Sequence, residues 1–192
     1  MRNTIYIKNM VCDRCIKVVK EELEKLGLHI LDIRLGRVIV SNAEIITDVS
    51  DLEKVLENNG FELLIDTRAQ LIENIKTIII DLIQSGEVAR LNINVSDYIA
   101  EKMGQDYHYL TQLFSAVESM TIEKYYILQK VEKAKELLVY DELTLTEIAD
   151  LLGYSSVQYL SSQFKKVTGL TPRHFKSLKK DQRISLDQIK DR

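Results

Sequence analysis

At 192 residues the chain has room for one large domain or two small ones. Hydrophobic residues make up 45% and charged residues 29%, an ordinary globular balance, and no apolar run approaches the ~20 residues of a membrane span. A formal net charge of -3 argues against a generally basic, nucleic-acid-coating surface, so any DNA contact must come from a local patch. The start, MRNTIYIKNMV, lacks the apolar core and cleavage site of a signal peptide, so a cytoplasmic location is expected. The two cysteines, Cys12 and Cys15, are too close for a disulfide framework and in a reducing compartment point to a metal or redox site.

In chain order, Asn3 to Lys8 alternates as a strand with Ile5 and Ile7 on one face. Asn9 to Arg14 reads as a loop carrying the cysteines. Cys15 to Leu26 reads as a helix with Cys15, Val18, Val19, Leu23 and Leu26 inward, ended by Gly27. Leu28 to Arg34 and Arg37 to Ser41 read as a hairpin about Leu35 and Gly36. A helix N-capped by Ser50 runs to Asn58, with Leu52, Val55 and Leu56 inward. Gly60 stops it, and Phe61 to Ile65 is the last strand. The order is βαββαβ, a ferredoxin-like arrangement.

With Met10, Cys12 and Cys15 in MVCDRC at the first strand-to-helix loop, this segment resembles a heavy-metal-associated domain. Gly60 and Phe61 also suit that family's turn into its last strand, while Asn9 stands where the family usually has glycine. Two soft thiolates suit Cu(I), which tolerates low coordination; Zn(II) or Cd(II) would need further ligands from elsewhere. Asp13 could add one, whereas His29 lies at the start of a strand. Met10 reads as packed support for the loop. Placed in a first helical turn, Cys15 is expected to ionise readily. A thiol-redox switch at the same pair is the competing reading. The lone proline, Pro172, is far from this loop, which argues against a thioredoxin-like enzyme.

Asp66 and Thr67 cap a long helix to about Gln84, whose apolar residues Ile78, Ile79, Ile80, Leu82 and Ile83 predict burial. No Gly-, Pro- or Ser-rich linker separates it from what precedes, which predicts a stiff junction. After a loop from Ser85 to Leu91, Asn94 caps a helix to Met103 stopped by Gly104. Asp106 then caps YHYLTQLFSAVE, and Thr121 to Tyr140 forms a long helix.

Thr144 and Glu147 make a capping box, and Leu145, Ile148, Ala149, Leu151 and Leu152 give that helix its buried stripe. Gly153 takes the left-handed stop, and Tyr154 anchors the turn. The next helix carries Tyr159, Leu160, Phe164 and Val167 inward and Gln158, Ser161, Ser162 and Lys165 outward. Gly169 closes it, and Thr171 and Pro172 start another. A polar second helix on an apolar first one is a helix-turn-helix.

IADLLGY followed by SSQFKKVTGLTP resembles the second DNA-binding motif of AraC-type (AraC/XylS) transcription regulators, with Ala149, Gly153, Phe164, Gly169, Thr171 and Pro172 in place. Ala100, Leu110, Leu113 and Phe114 resemble the packing positions of that family's first motif, and LQKVEKAKELL resembles its linker helix. The resemblance implies base readers at His108, Thr111 and Gln112 in the first motif and at Gln158, Ser161 and Ser162 in the second. Lys165, Lys166 and Arg173 are the implied phosphate contacts. Gln112 and Ser162 stand where the family often has the guanine-reading arginine, which argues against strong guanine readout, and Gln158 or Gln112 could instead pair with adenine. The first motif also lacks the basic residue usual at Ser115 and the glycine usual at Ser119. Residues 70–192 are near neutral, 16 Lys and Arg against 17 Asp and Glu, yet Lys165, Lys166, Arg173, Lys176, Lys179 and Lys180 share a window without an acid.

His29, His108 and His174 are isolated in sequence, and the spacing of the nine tyrosines fits helix packing. No phosphate loop, serine-nucleophile turn or paired carboxylate occurs, so no enzyme is expected. The expected class is α+β. A ferredoxin-like domain (1–67) precedes an all-α double helix-turn-helix domain (68–180) and a polar tail (181–192). The expected function is a regulator that binds double-stranded DNA and responds to a metal ion at Cys12 and Cys15, signalling through the stiff junction or through a homodimer contact. The alternatives are a metal-trafficking or buffering protein whose helices serve protein contacts, or a redox-sensing regulator.

Overall fold

A computed structural model of the chain describes residues 3–41 and 49–177. The expected tail at 181–192, and with it Lys179 and Lys180, lies outside the described residues. The described chain divides into two compact units, residues 1–77 and 78–192, and the boundary falls inside one continuous helix, Thr67–Gln84.

In the first unit β1 (Asn3–Lys8) lies at the middle of an antiparallel four-stranded sheet. It lies between β3 (Arg37–Val40) and β4 (Glu62–Leu63), with β2 (Ile30–Arg34) outside β3. Ile5 faces Val38 and Ile7 faces Leu63 in the register. The strand period of two puts Ile5, Ile7, Val38 and Val40 on one buried face. The helices α1 (Asp13–Lys25) and α2 (Val49–Asn58) pack against each other and supply Val19, Leu23, Leu52 and Leu56 to the core.

Several boundaries differ from the sequence reading. The first helix starts at Asp13 and not Cys15, because the Cys12 carbonyl already accepts from the N–H groups of Cys15 and Ile16. Leu28 is tied back to the end of that helix: its N–H reaches the Leu23 carbonyl at 3.1 Å, and the strand begins at Ile30. Ser50 is not an N-cap, since it lies inside a helix that begins at Val49. The last strand is shorter than Phe61–Ile65, because the Phe61 N–H is spent on the Leu56 carbonyl.

The long helix α3 (Thr67–Gln84) starts where the Asp66 carboxylate accepts the N–H groups of Arg68 and Ala69, both at 3.3 Å. Ile79, Ile80, Leu82 and Ile83 are buried as their pattern predicts, whereas Ile78 is only half-buried.

The second unit is helical. The expected loop after α3 contains a 3-10 turn, Glu87–Arg90. Two helix pairs follow: α4 (Val95–Met103) with α5 (Tyr107–Glu118), and α7 (Leu145–Leu151) with α8 (Val157–Thr168). Between them α6 (Ile122–Tyr140) packs on α5, α7, α8 and the final α9 (Pro172–Ser177). Helix α6 is buried on nearly all sides and is the spine of the unit. Rings lock the joints: Phe114 meets Tyr125 at 5.7 Å between α5 and α6, and Phe164 meets Phe175 at 5.4 Å between α8 and α9.

Tyr159 corrects the expected inward stripe. Leu160 and Phe164, one turn apart, take the core side of α8, and the residue before Leu160 is turned about 100° away. Tyr159 is 54% exposed.

Candidate functional site

Each helix-turn-helix is built by local chemistry. Thr144 and Glu147 form the full capping box: the Thr144 hydroxyl accepts the Glu147 N–H, and the Glu147 carboxylate accepts the Thr144 N–H at 2.7 Å. Hydrogen bonds from the Thr144 hydroxyl, then from its backbone, hold the Glu147 carboxyl below the usual carboxylate range. Asp106 and Ser156 cap α5 and α8 by accepting the N–H groups of Tyr109 and Tyr159. Asn94 precedes α4 with no side-chain cap bond. The turn between α7 and α8 closes on Gly153 at φ +63, against Val88. Tyr154 is buried beside it and donates to Gln163 of α8 at 2.6 Å.

Lys130 of α6 lies beneath that turn. Its ammonium stands 3.6 Å from the Tyr154 ring centroid and 5.2 Å from that of Tyr126, with only 6% of the residue exposed. Burial lowers its pKa to about 8. Burial likewise pushes Tyr126 up to about 12, and Tyr154 well above its ordinary value. Nothing in the local spacing of Lys130 announces this pocket.

The expected readers fall on the outer faces of α5 and α8. His108 and Gln112 are exposed on α5, and the Gln112 amide nitrogen lies 3.0 Å from His108 Nε2. The Thr111 hydroxyl oxygen is shielded from solvent, which leaves the other two as the open polar pair. On α8, Gln158 and Ser162 are exposed and Ser161 is half-buried. Lys165 and Lys166 are exposed in the last turn, and Arg173 is exposed on α9. Among the described residues these three cations have no acidic partner, whereas Lys176 pairs with Asp141.

In the first unit, Cys12 is the N-cap of α1 and is exposed, Cys15 is half-buried, and their Sγ atoms lie 3.3 Å apart. The loop before them is firmly held. Asn9 adopts φ +71, its side chain donates to the Gly60 carbonyl at 3.1 Å, and its N–H meets the buried Glu73 carboxylate at 3.3 Å. Met10 is fully buried below, as support. His29 is engaged by the Ser41 hydroxyl at 3.1 Å. Among the described residues no group of three or more His, Cys, Asp or Glu converges for a metal. Among the described residues the loop offers two thiols as soft donors.

The helix N-terminus does not make Cys15 acidic as expected. Burial pushes its thiol up, and this outweighs the backbone hydrogen bond from Val11 that lowers it; the neighbouring Cys12 thiol adds to the rise. Iodoacetamide alkylation of Cys15, followed by mass spectrometry, should keep accelerating above about pH 10, where a thiol with the ordinary pKa of 9.0 levels off. A plateau below pH 8 would contradict the burial argument.

Comparison with known proteins concentrates on the helical unit. Residues 99–177 match the family model described as a helix-turn-helix domain. The xylose operon regulatory protein of Escherichia coli (strain K12) is 32% identical over 82 residues, which is 43% of this chain and 21% of that protein. The uncharacterized HTH-type transcriptional regulator YtdP of Bacillus subtilis (strain 168) is 23% identical over 171 residues, 87% of this chain and 22% of that protein. The chain thus spans about a fifth of the length of these relatives. Among solved structures, the C-terminal domain of AraT, a response regulator from Geobacillus stearothermophilus, superposes with a TM-score of 0.51 at 21% identity. That match covers 62% of this chain and 95% of that one, and shows the helical fold. No described helix is long and apolar enough to cross a membrane.

Proposed function

We propose that the chain is a DNA-binding transcription regulator of the AraC/XylS type that responds to a soft metal ion, Cu(I) in the first place, through Cys12 and Cys15. The carrying observation is one chain that holds two capped helix-turn-helix units with open polar faces and a pair of thiols 3.3 Å apart. The names of the relatives support regulation. The strand order β2-β3-β1-β4, with a helix after β1 and another after β3, supports the ferredoxin-like and heavy-metal-associated reading of the first unit. Double-stranded DNA is the partner, with His108, Gln112, Gln158 and Ser162 as the open readers and Lys165, Lys166 and Arg173 on phosphates.

Cu(I) at the two thiols would displace both protons, leave a bis-thiolate site with one net negative charge, and cross-link loop and helix. Zn(II) or Cd(II) would draw further ligands from another molecule, such as a second copy in a homodimer. A ligand shifts DNA affinity only by binding two states differently. The test is therefore affinity for an operator with and without Cu(I), in the unaltered chain and in Cys12→Ser. A change confined to the unaltered chain is expected, and equal affinity throughout would end the sensing claim. The 3.3 Å thiol pair also favours a second reading, a redox switch, in which a thiol oxidant and not metal changes the affinity.

Charge reversal tests the DNA reading itself. Lys165→Glu combined with Lys166→Glu should weaken binding to random-sequence duplex at every salt concentration. It should also flatten the dependence of log K on log salt by about 0.9 for each lost contact. No binding by the unaltered chain at low salt would instead favour a metal-trafficking or buffering protein whose helices make protein contacts.

A further inference from the structure

Tyr109 and Tyr159 stand at matching places in the two motifs. Each is the third residue of its helix, α5 or α8. The N-cap side chain holds its N–H in both cases, Asp106 at 3.0 Å and Ser156 at 3.1 Å. The following leucine, Leu110 or Leu160, and the phenylalanine one turn on, Phe114 or Phe164, are fully buried in both. That pair sets the core side of each helix and leaves the tyrosines 47% and 54% exposed.

Around each helix the tyrosine borders the open polar face. It lies about 60° from Gln112 on α5 and the same angle from Ser162 on α8. The Tyr159 ring packs in a T-shaped arrangement with the buried Tyr154 ring, 5.8 Å between centroids, which orients it. A phenol joins a rigid apolar body to one O–H donor on a side chain with two torsions.

We propose that Tyr109 and Tyr159 are a matched pair of DNA-backbone contacts, each phenol O–H donating to a phosphate oxygen at the edge of the groove its helix enters. This rests on the DNA-binding reading and extends it to the first motif. There Ser115 and Ala116 follow the buried phenylalanine at the places where Lys165 and Lys166 follow it in the second. The first motif thus holds DNA through neutral donors and the second through both kinds. A neutral donor adds affinity without releasing counterions, so its removal leaves the salt slope unchanged.

The experiment is fluorescence anisotropy of the full chain on random-sequence duplex at several salt concentrations, with Tyr109→Phe, Tyr159→Phe, the double variant and Lys165→Glu as the charge control. Phenylalanine keeps the ring, and thermal melting checks that each variant folds. Each single substitution should cost roughly tenfold in affinity, alike on different duplex sequences and with the salt slope of the unaltered chain, whereas Lys165→Glu changes that slope. Unchanged binding in the double variant would overturn the pair alone. A loss that depends on base sequence would also overturn it, by making the tyrosines base readers. Failure of the unaltered chain to bind duplex at low salt would overturn the DNA reading and the pair together.

Discussion

Gly153→Ala should destabilise the helical unit by about 2–4 kcal/mol and remove DNA binding at temperatures where the unaltered chain still binds. Two costs combine at this one position. The backbone is at φ +63, a region where a side chain is strained. A Cβ there would lie 2.7 Å from Val88 Cγ1 and 3.2 Å from the Val88 carbonyl oxygen. Rotation of Val88 can relieve the first contact, but the second is with backbone and cannot be relieved without moving the 3-10 turn. The glycine sits between α7 and α8, so any shift tilts α8 on its support. Urea unfolding of Gly153→Ala, Val88→Ala and the double variant would read this directly. The double variant should recover part of the loss, because it removes the side-chain contact and leaves the φ and the carbonyl. A cost below about 1 kcal/mol for Gly153→Ala would show that the turn is softer than argued.

Lys130→Met should raise stability at pH 7, on the order of 1–3 kcal/mol, and this gain should fade as pH rises. The sign follows from the direction of the shift. Burial lowers Lys130 from an ordinary 10.5 to about 8 in the folded chain. Below pH 8 the amine is charged in both states, and the folded state bears the full burial cost. Between about 8 and 10.5 the unfolded state binds more protons, so the stability of the unaltered chain climbs with pH. Above pH 10 the buried tyrosines Tyr126 and Tyr154 act in the opposite sense, because they stay protonated in the folded chain while the unfolded chain loses their protons. The informative window is therefore pH 8 to 10. The face of Tyr154 at 3.6 Å attracts the ammonium and offsets part of the cost, hence the lower end of the range. Methionine keeps the length of the stem and drops the charge. Chemical unfolding across pH 6–10 decides the matter. If Lys130→Met is less stable than the unaltered chain at pH 7, the ring attraction outweighs burial.

Both predictions concern the support of the second motif and not its outer face. Helix α6, the turn at Gly153 and Tyr154, and α8 share a single core. Lys130, Tyr154 and Gln163 run in sequence from the spine to α8 through one ring contact and one hydrogen bond. Loss of packing here should therefore weaken DNA binding without touching a DNA-facing residue. The first motif meets α6 through the Phe114–Tyr125 ring pair.

Local chemistry made much of this legible from sequence alone. The capping box at Thr144 and Glu147, the caps at Asp66, Asp106 and Thr121, the stop at Gly153 and the start at Pro172 involve residues within one helical turn of each other, so spacing suffices to read them. The same holds for the thiol pair, whose 3.3 Å separation follows from three residues of one helix start. What depends on distant partners was not legible. The Cys15 thiol is raised and not lowered because burial outweighs its backbone hydrogen bond. Tyr159 faces outward because Leu160 and Phe164 claim the core. The grip of Glu73 on Asn9, the Val88 wall against Gly153 and the tyrosine cage around Lys130 each join residues that only tertiary packing brings together. By itself the sequence determined most helix caps and stops, to within a residue or two, and the expectation of two chemistries in one chain. Tertiary structure decided which of those side chains are open to a partner, because exposure and pKa depend on what lies across the core.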